Sequence, residues 1–240
     1  MPIFERGDIT LYYEEHGTGF PILLIAPGGM RSAVSFWDQA AWNPIPQLAA
    51  HYRVIAMDQR NAGQSSAPIR ATDSWHVYTE DQLALLNHLG VDRFHVAGMC
   101  IGGPYCMGLI QTAPQRVTSA VLFQTIGLSD NRQAFYDMFD GWADTLKPDR
   151  PEVSAEAWES FKTSMYGGDF LFNVSQEFVA QCQTPLLVLL GNDVYHPSET
   201  SRDVARLAPN ATLIERWKEP QDQPAAKQAV GDFLAQHTPR

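Results

Sequence analysis

Short, mostly apolar runs bounded by turn residues recur along this chain, separated by stretches of helical length. They fall at residues 21–26 (PILLIA), 53–57 (RVIAM), 94–97 (FHVA), 117–123 (VTSAVLF), 185–190 (PLLVLL) and 211–215 (ATLIE). Strands that are apolar without alternation are covered on both faces. Strands separated by helices close into βαβ units around a parallel sheet. The pattern therefore predicts an α/β fold, a mostly parallel central sheet with helices on both faces. Residues 9–15 alternate instead, as an early antiparallel strand does. Helices are expected over 79–89, 101–112 and 223–236, and Pro197 can open another.

At 240 residues, 45% of them hydrophobic, the chain suits one domain over 1–240 better than two small ones. The interval between Phe123 and Pro185 is too long for a plain connection. It carries Phe135, Tyr136, Phe139, Trp142, Trp158, Phe161, Tyr166 and Phe170 at broadly helical spacing. Residues 128–182 are expected to form a small helical cap over the C-terminal edge of the sheet, where open α/β sheets bind ligands. A net charge of −10 argues against a nucleic-acid or anionic-membrane partner. The N-terminal residues show no apolar leader and no run is long enough to span a membrane, so a cytoplasmic location is expected. Three cysteines without metal-ligand spacing give neither a disulfide framework nor a metal site. No cofactor is expected; the partner is a small-molecule substrate, and a homodimer stays open.

Gly98-Met99-Cys100-Ile101-Gly102-Gly103 follows one apolar run and opens a helical stretch. A strand-to-helix turn that strains its middle residue tolerates only small residues two before and two after it. It lifts the central side chain clear of the sheet and aims a helix N-terminus at it, which for cysteine favours the thiolate. Cys106, inside the next helix, and Cys182, before a strand, are expected to be packing thiols.

The hexapeptide resembles the nucleophile elbow, G-x-S-x-G, of the α/β-hydrolase family, with cysteine in the serine position. The resemblance runs over nearly the whole chain. Pro27-Gly28-Gly29-Met30 stands where the family has its His-Gly oxyanion loop. The stretch from Asp58 to Ser65 is similar to the family's D-x-R-G-x-G-x-S, with Asn61 replacing a glycine. Gly191-Asn192-Asp193 follows the penultimate strand, where the family keeps its triad acid. The resemblance implies an α/β-hydrolase fold, with Cys100 as nucleophile and backbone N–H groups of Ile101 and of Gly29 or Met30 as oxyanion donors. Pro27 has no N–H to give.

The family's base is a histidine after the last strand. Here that place reads Arg216-Trp217-Lys218-Glu219-Pro220, and the later His237 lies at the end of the chain's last helix. His196, three residues beyond Asp193, is the expected replacement, with Asp193 orienting it; His76 is the weaker candidate. His16, His51, His88 and His95 are read as structural. Arg31, Lys218 and Trp142 are the expected substrate contacts, the two cations toward an anionic group, each equally consistent with an ordinary structural or solvated residue.

These features predict a cofactor-independent hydrolase of an ester, thioester or lactone-like carbonyl, working through a cysteine acyl-enzyme. Dienelactone hydrolases, in the same superfamily, resemble it at the nucleophile alone. Two other readings fit the same residues: a lyase or acyltransferase on this fold, and a non-catalytic ligand-binding protein.

Overall fold

The computed structural model describes residues 2–239. Eight strands form one sheet: β1 (Ile3–Arg6), β2 (Ile9–His16), β3 (Phe20–Ile25), β4 (Tyr52–Met57), β5 (Phe94–Met99), β6 (Val117–Phe123), β7 (Leu186–Leu189) and β8 (Ala211–Ile214). Their order is β1-β2-β4-β3-β5-β6-β7-β8. β1 and β2 are antiparallel to their neighbours, and β4 through β8 pair in parallel by way of β3. The expected mostly parallel sheet is present, and 9–15 is the antiparallel strand that its alternation predicts. β1 was not expected: it is short and half-exposed, and offers no apolar run to detect. β8 is also only partly buried, as an edge strand is.

Side chains alternate between two apolar layers. Leu23, Ile55, Val96, Leu122 and Val188 join one, and Ile22, Val54, Ala97, Val121 and Leu187 join the other. The first layer is covered by α2 (Trp75–His88), α3 (Gly102–Thr112) and α7 (Ser198–Leu207), the second by α1 (Ile45–Leu48) and α8 (Gln223–His237). Helix α2 begins one turn before the expected start because Trp75 anchors it, its indole N–H donating to the Met165 carbonyl at 2.6 Å.

Between β6 and β7 come α4 (Arg132–Leu146), α5 (Ala155–Tyr166) and α6 (Gln176–Gln181), the expected helical insertion. Its aromatic residues pack chiefly on one another: Phe139, Trp142, Trp158 and Phe161 meet edge-to-face. The insertion rests on the loop after β3, where Met138 lies against Gly29 and Arg31 donates to the Gly141 carbonyl. That contact encloses a space above the C-terminal ends of the strands.

Candidate active site

The turn after β5 has the strain its sequence predicts. Cys100 holds φ at 62°, in the left-handed region that side chains disfavour. Small neighbours are obligatory: a Cβ on Gly98 would lie 2.3 Å from the Gly102 carbonyl oxygen, and one on Gly103 would meet Thr125 Oγ1 at 2.0 Å. The loop after β4 is fixed by Asp58, whose carboxylate accepts from the backbone N–H groups of Val34 (2.7 Å) and Gln64 (2.8 Å). Asn61, where the family has glycine, also takes a positive φ of 57°, a conformation asparagine tolerates.

A cavity of about 230 Å³ lies over the turn, lined by Gly28, Gly29, Cys100, Ile101, Ile126, Phe135, Met138, Tyr166, Tyr195 and His196. His196 comes from the loop after β7. Its Nδ1 is held by both Asp193 oxygens, at 2.7 and 2.8 Å. Its Nε2 is buried, has no strict hydrogen-bond partner among the described residues, and faces the Cys100 sulfur. Burial pushes the Cys100 thiol up, but the His196 charge and the amides of Gly28 and Ile101 outweigh it and hold the thiol below its ordinary value. Burial likewise opposes charge on His196, yet Cys100 and Asp193 together raise its pKa. Burial alone pushes Cys106 and Cys182 up.

The structure brings Cys100, His196, Asp193, Ile101 and Gly29 together. Gly28 supplies an amide that the sequence reading missed; the positive φ of the Gly28-Gly29 pair turns that loop toward Cys100. Met30 is buried outside the cavity lining. Arg31 is tied to Gly141, and Lys218 sits over the Trp217 ring and donates to Asn192 at the edge of a separate cleft. Trp142 is buried inside the insertion and donates to the Asn61 carbonyl. None of these three lines the cavity.

The expected cysteine-nucleophile mechanism requires correction. The sequence points to Cys100 as the nucleophile and to His95 as structural, and it signals no serine–histidine pair. The structure holds one: His95 Nδ1 and Ser119 Oγ lie 2.8 Å apart, the kind of pairing serine hydrolases use. The functional reading therefore carries no cysteine-nucleophile assignment. The pair is fully buried between β5 and β6, and the second His95 nitrogen is bonded to Thr238 at 2.9 Å. Burial, with a smaller contribution from His237, lowers the imidazole pKa to about 4. His95 precedes Cys100 by five strand residues, about 16 Å at strand rise. The two histidines thus belong to separate polar pairs, and only His196 borders the cavity.

Among the described residues no helix is long and apolar enough to cross a membrane, and no group of three or more His, Cys, Asp or Glu side chains could hold a metal ion. A family model described as alpha/beta hydrolase fold matches residues 21–184, more than half of the chain. The chain is 39% identical over 122 residues to "Putative carbamate hydrolase RutD" of Azorhizobium caulinodans, a match covering 51% of this chain and 43% of that protein. It is 39% identical over 85 residues to the dihydrolipoyllysine-residue acetyltransferase component of the acetoin cleaving system of Pseudomonas putida, covering 35% and 23% respectively. The matches thus span less than half the length of these relatives. Among solved structures, the enol-lactonase from Burkholderia xenovorans LB400 superposes with a TM-score of 0.70 at 19% identity, covering 98% of this chain and 100% of that one.

Proposed function

The chain belongs to the alpha/beta hydrolase fold family, and on that premise we propose that it hydrolyses a small, largely apolar ester or lactone in the cavity beneath the helical insertion. One observation carries the reading. A buried imidazole, oriented by a carboxylate, presents its free nitrogen to a cavity where two backbone amides converge. That is what carbonyl hydrolysis needs: a base that takes a proton from the attacking group and returns it to the leaving oxygen, and fixed donors for the oxyanion. In this reading His196 moves the proton and Asp193 fixes its tautomer. The amides of Ile101 and of Gly28 or Gly29 hold the oxyanion. The apolar lining and the likeness in fold to an enol-lactonase support the substrate class.

The test is turnover of a panel of p-nitrophenyl esters and small lactones by the wild type and by His196→Ala. Loss of the base is expected to lower turnover by about 10²-fold or more. An inactive wild type, or a variant near the wild-type rate, would refute the reading. Acid quenching during turnover, followed by mass spectrometry, assigns the attacking atom by locating an acyl group on Cys100, on Ser119 or on neither.

A further inference from the structure

Tyr166, the last residue of α5, lines the cavity with Cys100 and His196. Its side chain is fully buried, and its hydroxyl has no hydrogen-bond partner among the described residues. The ring cannot swing toward water: Phe135 stacks on it at 5.3 Å, and Trp75 and Phe172 meet it edge-on. The buried hydroxyls of Tyr78 and Tyr105 face one another on a ring pair 5.0 Å apart that adjoins it through Trp75. Burial, with the charges of Tyr78 and Cys100, raises the Tyr166 pKa well above the ordinary phenol value. The group is therefore a neutral donor at any working pH.

A buried donor without an acceptor is costly, and such groups call for an explanation. Elsewhere in the lining Ile126, Phe135 and Met138 are apolar, His196 faces Cys100, and neither Tyr195 nor Cys100 makes a hydrogen bond to the Tyr166 hydroxyl. No lysine or arginine lines the cavity. Arg60, a buried cation over the Tyr78 ring, is bound by Asp81 at 2.8 Å with Asp73 at 3.9 Å. A carboxylate entering here would lose its water without gaining a counter-charge.

We propose that Tyr166 is a specificity-determining residue whose hydroxyl donates a hydrogen bond to an uncharged oxygen, a ketone or ether, carried by the substrate several atoms from the reacting carbonyl. The assignment rests on the hydrolase reading above and adds a second polar contact to it. An apolar analogue of the same shape leaves the hydroxyl unpaired, and sites built around a hydrogen bond discriminate against such analogues.

Methyl 4-oxopentanoate and methyl pentanoate differ by one carbonyl in place of a methylene and test this directly. Hydrolysis of both is followed by pH-stat with the wild type and Tyr166→Phe. The variant is expected to lose about tenfold in kcat/KM on the oxo ester, to keep its rate on the pentanoate, and to melt no lower than the wild type. Equal losses on both esters, an unchanged preference, or a lower Tm would overturn the assignment, the last because the hydroxyl would then be holding the fold. If the wild type hydrolyses neither ester, it is the hydrolase reading that fails. Ligand-observed NMR titration of the two esters then decides Tyr166 without turnover: a wild-type preference for the oxo ester that Tyr166→Phe abolishes upholds it, and equal binding rejects it.

Discussion

Asp193→Asn isolates the orienting role that the geometry gives this carboxylate. Asp193 Oδ1 accepts from the backbone N–H groups of Tyr195 (3.0 Å) and His196 (3.1 Å) and lies 2.7 Å from His196 Nδ1, with Oδ2 at 2.8 Å from the same nitrogen. In the variant, the two backbone donors keep the amide oxygen at the Oδ1 position, so the amide nitrogen replaces Oδ2 beside Nδ1. The Nδ1–H group then loses one of its two acceptors and meets a donor, which weakens the tautomer that leaves Nε2 free to act as base. The Asp193 side chain is 46% exposed, so solvent screens its charge and the hydrogen-bond contribution dominates. A hydrogen bond to a charged group contributes about 1.5–3 kcal/mol, which converts to a loss of roughly 10- to 150-fold in kcat/KM. The assay is kcat/KM from pH 5 to 9 on the best ester of the panel. Burial opposes charge on His196, but Cys100 and Asp193 raise its pKa. Removing the Asp193 charge takes away part of that rise, so the acid limb moves to lower pH. A variant that keeps more than half the wild-type rate, with an unmoved limb, would refute the orienting role.

Three further outcomes are expected. Iodoacetamide at pH 7 should label Cys100 well before Cys106 and Cys182, because His196 and two amides favour its thiolate while burial disfavours the other two; peptide mapping of a timed reaction measures the order. Asp81→Ala leaves the Arg60 guanidinium, which is 2% exposed, with only the longer contact to Asp73 at 3.9 Å, and should cost about 3 kcal/mol in urea denaturation; a loss below 1 kcal/mol would show that Asp73 suffices. Ser119→Ala removes a hydrogen bond from the buried His95 and should cost about 1–3 kcal/mol by the same measurement, and an unchanged midpoint would mean that Thr118, 2.9 Å from the same nitrogen, suffices.

What the sequence revealed follows from how local each feature is. The central strands announce themselves because a parallel strand buried on both sides is apolar throughout, and the elbow because its glycines meet obstacles within a few residues. The insertion was legible as a long aromatic interval, but not which aromatics would face inward. Trp142 looked like a substrate contact and lies among Trp158, Phe161 and Phe139 instead. Tyr166, from the same interval, reaches the cavity. The two residues lie on different helices, and only the packing of α4 and α5 decides which of them reaches the cavity. The His95–Ser119 pair was illegible for a related reason. It depends on the register between β5 and β6, which shifts between Phe94 and His95.

The placement of His196 shows how a base can leave its usual loop. Asp193 and His196 close one tight turn through reciprocal backbone hydrogen bonds of 3.1 and 3.3 Å. Gly191 makes the turn feasible, since a Cβ there would meet the His196 carbonyl oxygen at 2.4 Å. Carboxylate and imidazole are thus oriented by one loop, which Asn131, Ser201 and, from the loop after β8, Lys218 brace from outside. That second loop has been put to another use: Trp217, fully buried, packs against Phe123 and donates to the Leu190 carbonyl at 2.9 Å. It seals the sheet edge where the family's histidine would stand, so a histidine restored at position 217 would open a cavity in the core before it could reach the site. The geometry at His196 therefore depends on the loop from Gly191 to Pro197 and on the side chains that brace it, and changes in the exposed Arg216 or Glu219 should leave it untouched.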